Sequence, residues 1–274
     1  MPFTDLNDGC KGLLVTTATV LNQTGLRYAV AGGWVPLLTE PNHPTLIHPG
    51  TRDVDILLMD EEVAVRDAAK ALLAAGFRPS AKHEFQLLRD AQVGDHVFVY
   101  NVDLMHPYEA RSTPEMFSDI FDLGVNDDYD PRGSRHFKSI AFRSAAIVYE
   151  QNLFRTVDLS APDLDGVDRK VSVPLLSPPA AVLSKCESVA TPKRTRDAFD
   201  IYYLLSGANG PSLAAELRDL AGRFPQVGEQ LRLLRAFLES KPHIYNGNVS
   251  LHARRGVSTA AAESLGLLFP DAAS

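Results

Sequence analysis

Two aspartates separated by one residue, Asp53 and Asp55, have the spacing of a cation-binding pair. They lie in residues 51–58, whose alternating pattern predicts a β-strand. Side chains two apart on a strand point to the same face, with Cα atoms about 7 Å apart, so both carboxylates could bind shared cations. The apolar run after Asp55 predicts a central strand, where buried acids are costly unless they are paired or metal-bound. A strand end with two solvated aspartates is the alternative.

Three further features could complete a phosphate-handling site. Gly32-Gly33 follows a predicted strand and precedes a short predicted helix, so its backbone N–H groups could hold phosphate oxygens. A simple tight turn is the alternative. Asp103 offers a third carboxylate on a separate predicted strand, unless it is only a capped strand residue. Lys185 and the run at residues 193–197 could supply cations for a triphosphate, or could form a solvated helix face.

The order of these features resembles the DNA polymerase β-like nucleotidyltransferase superfamily. The superfamily motif is a hydrophobic residue, then Gly-Gly or Gly-Ser, and then Asp-hydrophobic-Asp on the next strand. Residues 31–33 and 53–56 match it residue by residue. The sequence departs from the pattern in one respect: 19 residues, 34 to 52, separate Gly33 from Asp53, more than the usual gap. A loop rich in proline and histidine, residues 41–50, accounts for the excess.

Within that superfamily the chain resembles the AbiEii/AbiGii toxin family, which includes the MenT-type toxins. The segments that carry the resemblance are Gly32-Gly33-Trp34, residues 51–55, Leu183-Ser184-Lys185 and residues 196–205. The last of these is the more discriminating, because the first motif is shared by the whole superfamily. The resemblance covers residues 27–205. It implies a metal-dependent nucleotidyltransferase, the toxin of a toxin-antitoxin system, that transfers NMP from an NTP to an RNA acceptor and releases pyrophosphate.

The resemblance also implies a ligand set and partners. Asp53 and Asp55 would hold two Mg²⁺ ions, and Asp103 would be a further metal ligand. Gly32 and Gly33 would cradle the triphosphate of the NTP substrate. The 3′ end of tRNA is the implied acceptor, with pyrimidine nucleotides as donors in some members. A separately encoded antitoxin protein is the implied partner.

Other residues receive roles from the same resemblance or from their positions. By resemblance, Lys185 would bind the triphosphate charge, and Asp200 would orient Lys185 or shape the nucleotide pocket. We hypothesise that Thr51, on the carboxylate face two residues before Asp53, contacts the terminal phosphates. It could also be a regulatory phosphorylation point, since an added charge of about −2 would repel the triphosphate. A threonine favoured merely by strand propensity is the alternative. Trp34 is expected in the core, with stacking on a base as the alternative.

Hydrophobic periodicity predicts a helix-flanked mixed β-sheet followed by an all-α part. Together with the resemblance, the predicted fold class is α+β: a nucleotidyltransferase-fold sheet flanked by helices, followed by an α-helical C-terminal domain. We place the catalytic domain at residues 1–175 and the helical domain, contributing Lys185 and Asp200 to the site, at residues 176–274. The predicted strands are residues 27–31, 51–58, 83–89 and 96–105. The predicted helices are residues 13–21, 34–38, 60–75, 178–189, 196–205, 212–224, 227–238 and 258–268.

Composition excludes several classes of protein. The 274 residues are 45% hydrophobic and 22% charged, which is typical of a globular chain and excludes collagen, coiled coil and disorder. Two cysteines are too few for a disulfide framework. The N-terminus lacks a basic start followed by an apolar run, and no stretch of 18 apolar residues occurs. We therefore expect a cytoplasmic protein with no membrane segment.

The net charge of −7 argues against a basic surface throughout, so any nucleic-acid contact would be local. Cations that could form a phosphate track, or simply a solvated surface, are Arg132, Arg135, Lys138, Arg143, Lys193, Arg194 and Arg196. Two other functions stay open. One is nucleotide transfer to a protein side chain or to a small molecule such as an aminoglycoside, and the other is a catalytically inactive binding module. Retention of both Asp53 and Asp55 argues against the inactive module.

Overall fold

The structure is a computed structural model that describes residues 3–58, 62–83, 85–107, 117–122, 136–142, 144–186 and 188–270. In those ranges the helices are α1 (Leu6–Thr24), α2 (Trp34–Thr39), α3 (Glu62–Ala74), α4 (Ala145–Glu150), α5 (Pro178–Cys186), α6 (Thr195–Ser206), α7 (Gly210–Arg223), α8 (Pro225–Ser240), α9 (Pro242–Ala253) and α10 (Ala260–Leu268). The strands are β1 (Tyr28–Val30), β2 (Asp53–Leu58), β3 (Arg78–Pro79), β4 (Gln86–Val93), β5 (His96–Pro107), β6 (Phe117–Asp122), β7 (His136–Phe142), β8 (Phe154–Pro162) and β9 (Asp168–Leu176).

The chain divides into two compact units. The first consists of Met1–Trp34 and Thr51–Leu176, and the second of Val35–Gly50 and Ser177–Ser274. The sheet therefore lies in the first unit and the C-terminal helices in the second. The Pro/His-rich loop belongs to the second unit, whereas the sequence analysis placed it in the N-terminal domain. Among the residues that the structure describes, no helix combines the length and apolar character needed to span a bilayer.

The strands of the first unit form one mixed sheet. Its order is β3-β4-β5-β2-β1-β9-β8, and β7 pairs with both β5 and β6. Strand β2 runs parallel to β5 and antiparallel to β1, so it is a central strand, as the sequence predicted. Its residues Val54 and Ile56 are 0% exposed. Because side chains alternate along a strand, the aspartates at positions 53 and 55 face the other side of the sheet.

Helix α1 begins and ends at capping residues. The side chain of Asp5 accepts hydrogen bonds from the backbone N–H groups of Asn7 and Asp8, at 2.7 and 3.0 Å. Such an N-cap contributes about 1 kcal/mol. Gly25 ends the helix with φ at 71°, which glycine adopts without strain. The helix packs against α3, β8 and β9, and its Leu13 is fully buried there. This layer supports the sheet that carries the aspartates.

The α+β prediction is confirmed, with a helix-flanked mixed sheet and a helical C-terminal part. Strands predicted at residues 27–31, 51–58 and 96–105 appear as β1, β2 and β5, and their ends shift by at most two residues. The strand predicted at residues 83–89 begins later, at Gln86, and continues to Val93.

Helix α9 was missed by the sequence analysis. Its centre contains Asn246, Gly247 and Asn248, which are weak helix formers. Tyr245 and Val249, four residues apart, are both 0% exposed, and the helix packs against α6. Tertiary packing of this inner face therefore outweighs the poor intrinsic propensity.

Candidate functional site

Three aspartates of the first unit lie on one face of the sheet. The parallel register of β2 and β5 sets Asp55 opposite Asp103, and Asp53 opposite Asn101. Residues directly opposite each other share a face, as do residues two apart on one strand. Asp53 and Asp55 are half-buried, whereas Asp103 is only 8% exposed. The structure thus places the three sequence-predicted carboxylates on a common face.

The glycine turn after β1 touches the carboxylate of Asp55. Pairing of β1 with β2 is extended by a hydrogen bond from the backbone N–H of Ala31 to the backbone oxygen of Asp55, at 2.8 Å. At the next residue, Gly32, φ is +65°, and a Cβ would lie 1.9 Å from Asp55 Oδ2. Only glycine fits there without displacing the carboxylate. The long loop before Asp53 therefore does not separate the turn from the acids.

Two other sequence-predicted residues contact Asp53. The Thr51 hydroxyl donates to Asp53 Oδ1 at 2.9 Å, and Thr51 is 2% exposed. The Trp34 indole N–H donates to the backbone oxygen of Asp53 at 2.8 Å. Trp34 is 1% exposed, so it is a core residue, as expected, rather than a stacking platform. Contact of Thr51 with phosphate, and its phosphorylation, stay predictions, and in this structure its hydroxyl binds Asp53.

Asp103 has two amide partners that the sequence analysis did not name. Asn101 Nδ2 donates to Asp103 Oδ1 at 2.9 Å, and Gln86 Nε2 donates to Asp103 Oδ2 at 3.4 Å. The register of β4 and β5 sets Gln86 directly opposite Asp103. The spacing of Asn101, two residues before Asp103 on a predicted strand, was a signal for a shared face. Nothing in the local sequence signalled Gln86, because that pairing depends on the β4–β5 register.

The carboxylate face suits Mg²⁺ in its chemistry, although it is not a closed ligand cage. Within the described ranges, no three side chains of His, Cys, Asp or Glu are arranged to hold a metal ion together. Mg²⁺ is commonly bound by one or two carboxylates, with substrate phosphates and water completing the shell. Asp53 and Asp55 provide such a pair, and Gly32 leaves the approach beside Asp55 free of a side chain. The residues present therefore fit the cation when substrate supplies the remaining ligands.

Lys185 is part of a buried ionic network in the second unit. Its Nζ lies 2.9 Å from Asp197 Oδ1 and 3.0 Å from Asp200 Oδ2. Asp197 also accepts a hydrogen bond from the Ser188 hydroxyl at 2.6 Å. Burial by itself would lower the pKa of Lys185, but the two adjacent carboxylates raise that pKa above its usual range. Lys185 is therefore charged, and its ammonium group is bound by two acids.

Asp200 is the most buried acid of this network, at 1% exposure. Besides Lys185, His48 Nε2 lies 3.4 Å and Arg196 Nε 3.6 Å from its Oδ1. Burial would raise the pKa of Asp200, yet the attraction of Lys185, with His48 and Arg196, holds that pKa well below its usual range. Asp200 thus contacts Lys185, as the first of the two roles implied for Asp200 would require. Their predicted roles toward a nucleotide stay predictions.

His48 anchors the Pro/His-rich loop to α6. Its Nδ1 accepts a hydrogen bond from the backbone N–H of Gly50 at 3.3 Å, so the ring proton resides on Nε2, facing Asp200. The ring also packs at 5.2 Å from Tyr203 and 5.7 Å from Phe199, measured between centroids. Burial lowers the pKa of His48 in spite of the neighbouring Asp200. His48 is therefore a neutral, structural histidine at neutral pH.

The suggested phosphate track is described only in part. Arg132, Arg135 and Arg143, and the side chain of Lys138, lie outside the described residues. In the second unit, Lys193 and Arg194 are exposed. Arg196 instead donates a hydrogen bond to the backbone oxygen of Gly50.

Comparison with known proteins gives little sequence likeness. No protein-family model matches the chain, and no curated protein sequence matches it significantly. Among solved structures, the chain is similar to an antigenic nucleotidyltransferase-like protein from Paracoccidioides brasiliensis, with 16% identity and a TM-score of 0.36. That match covers 85% of this chain and 95% of the other. The resemblance to the AbiEii/AbiGii family stays a prediction from the sequence.

Proposed function

We propose that the protein is a metal-dependent nucleotidyltransferase that transfers NMP from an NTP to an RNA acceptor and releases pyrophosphate. One observation carries the proposal: Asp53 and Asp55 share a sheet face, and the Gly32 turn abuts the carboxylate of Asp55. A third carboxylate, Asp103, lies directly opposite Asp55. Like charges directly opposite each other are destabilising, and a divalent cation would offset their repulsion.

The chain's own residues would act by positioning. Asp53 and Asp55 would hold Mg²⁺, and the Thr51 hydroxyl keeps the carboxylate of Asp53 in one orientation. The glycine turn would let the triphosphate approach the backbone beside Asp55. When bound, the metal would lower the pKa of the attacking hydroxyl and neutralise charge on the triphosphate.

In the transfer, an acceptor hydroxyl attacks the α-phosphorus in line. The new bond joins the acceptor oxygen to phosphorus, the bond from phosphorus to the bridging oxygen breaks, and pyrophosphate leaves with that electron pair. The hydroxyl proton passes to solvent. Most of the rate would come from positioning and electrostatic stabilisation rather than from covalent chemistry by the protein.

The proposal extends to biological role and acceptor. By the sequence resemblance, the protein is the toxin of a toxin-antitoxin system, its acceptor is the 3′ end of tRNA, and a cognate antitoxin restrains it. Lys185 and Asp200 would act in nucleotide binding. Because Lys185 is bound by Asp197 and Asp200, it would engage a triphosphate only by giving up one of these contacts.

Label transfer tests the proposal directly. The protein is incubated with Mg²⁺ and each α-phosphate-labelled NTP in turn, together with total RNA, total protein or aminoglycosides. We expect label in RNA and a loss of at least about 100-fold in Asp53→Asn, because even the outer partners of metal ligands are worth 10–100-fold. Asp95→Asn, at an exposed turn of the same unit, is the matched control and should keep full activity.

Each result separates the proposal from its competitors. Label in protein or aminoglycosides, with RNA unlabelled, would favour the other acceptor classes. No label in any pool would favour the inactive binding module. Activity in Asp53→Asn equal to that of Asp95→Asn would show that the carboxylate pair is not the reacting centre.

A further inference from the structure

Asp103 is held by two amides, one from the neighbouring strand β4 and one from its own strand β5. Strand β5 lies between β4 and β2, and Gln86 donates to Asp103 Oδ2 from β4. Asn101, on β5 itself, donates to Asp103 Oδ1 at 2.9 Å. Each amide therefore binds a different oxygen of one carboxylate that is 8% exposed. A buried carboxylate held at both oxygens has little freedom to rotate.

These hydrogen bonds of Asp103 agree with the arrangement of the possible metal ligands on the sheet face that carries Asp53 and Asp55. Asp103 is directly opposite Asp55 in the register, yet no three acidic, His or Cys side chains of the described ranges are arranged to hold one metal ion. The amide bonds hold Oδ2 of this carboxylate toward β4 and Oδ1 along β5. Asp53 and Asp55 on β2 and the carboxylate of Asp103 on β5 are thus neighbours, and Asp103 is held by two amides.

We propose that Asn101 and Gln86 are positioning residues that hold Asp103 beside the cation site of Asp53 and Asp55, rather than in its ligand set. The inference rests on the proposed nucleotidyl transfer and assigns a part in it to two amides. Their effect on the reaction is transmitted through Asp103. Misplacement of a group near a reacting centre by about 1 Å can cost about 100-fold in rate.

The test removes each amide at nearly constant volume. In Asn101→Leu and Gln86→Met we expect kcat for label transfer, into whichever pool the wild type labels, to fall by about 10–100-fold. The dissociation constant for Mn²⁺, measured by electron paramagnetic resonance with a non-hydrolysable NTP, should change by less than about twofold, because the β2 pair is intact. Asn101→Gln keeps an amide donor and should recover part of the lost rate.

A matched control exists on the same strand. Gln92 lies on β4 six residues after Gln86, and therefore on the same face. Its amide donates to the backbone oxygen of Gly94 at 2.8 Å and does not hold Asp103. Gln92→Met makes the same chemical change and should leave both kcat and Mn²⁺ binding unchanged. Thermal unfolding of all variants measures any purely structural effect, and Gln86 is only half-buried, so Gln86→Met serves if Asn101→Leu does not fold.

Three outcomes would overturn the inference. The first is a kcat in both variants equal to that of Gln92→Met. The second is Mn²⁺ binding weakened about tenfold or more, since the amides would then be orienting a metal ligand. The third is a wild-type protein that neither binds Mn²⁺ with NTP nor transfers label, in which case the proposed function fails too. The first two occur with an active wild type and so distinguish the inference from the proposed function.

Discussion

Replacing Gly32 with alanine tests the contact between the glycine turn and the carboxylate pair. A Cβ at this position would lie 1.9 Å from Asp55 Oδ2, and φ is +65°. At Gly25, the C-cap of α1, φ is similar at +71°, but a Cβ would meet nothing within 4 Å. Gly25→Ala therefore introduces the same kind of backbone strain without a collision. The difference between the two variants isolates the effect on Asp55.

The structure indicates how large that difference should be. A left-handed backbone costs an L-residue about 1–2 kcal/mol, and this cost applies at both positions. In Gly32→Ala the carboxylate of Asp55 must also rotate away, which costs about 0.5–1.5 kcal/mol for an off-rotamer side chain. We therefore expect Gly32→Ala to be less stable than Gly25→Ala by about 1 kcal/mol. Its transfer activity should fall about 100-fold further, because the displaced group is a proposed metal ligand.

Urea unfolding and label transfer measure the two effects, and a double-mutant cycle with Asp55→Ala assigns the loss of stability. Without the carboxylate, the remaining Asp55 neighbour of the new Cβ is the Asp55 Cβ at 3.5 Å, an ordinary contact. The extra loss of stability should then disappear. The reasoning is refuted if Gly32→Ala matches Gly25→Ala in stability and activity, or if the extra cost persists in the Asp55→Ala background.

Two predictions concern the ionic network of the second unit. Lys185→Met should lower the free energy of unfolding by about 3–5 kcal/mol, because it leaves the buried Asp200 without its nearest cation. Arg235→Met, which breaks an exposed pair with Glu239, should cost about 0.5 kcal/mol or less, and equal costs in urea unfolding would contradict the buried-network interpretation. Stability should also fall as pH drops below about 6.5, since the unfolded chain takes up a proton that the buried His48, with its lowered pKa, does not. His48→Asn should make the free energy of unfolding depend less on pH below about 6.5. An unchanged slope would contradict the assignment of this pH dependence to His48.

Local patterns predicted the strands of the first unit that carry the candidate site, β1, β2 and β5. Alternation along one strand places Asp53 and Asp55 on a common face, because side chains of an extended chain repeat every two residues. The apolar residues between and after them predicted burial of the other face, as observed for Val54 and Ile56. A glycine pair at the end of β1 predicted a turn. These inferences needed no knowledge of distant parts of the chain.

The partners of the charged residues were not predictable in the same way. Lys185 was singled out as a cation for a triphosphate, with Asp200 as a residue that could orient it, but the packing of α5 against α6 also places Asp197 beside its ammonium group. His48 is one of two histidines in the Pro/His-rich loop, to which the sequence analysis gave no role, and the structure sets it against Asp200. Both contacts join residues that are distant in sequence, so no local spacing encodes them.

The sequence by itself determined which residues share a strand face and where the carboxylates and glycines occur, because backbone periodicity and conformational preference act over a few neighbouring residues. Tertiary structure decided what each of those groups contacts. The register of β2 with β5 and of β4 with β5 sets Asp103 opposite Asp55 on one side and Gln86 on the other. Register depends on the summed packing and hydrogen bonding of whole strands, which is a property of the folded sheet.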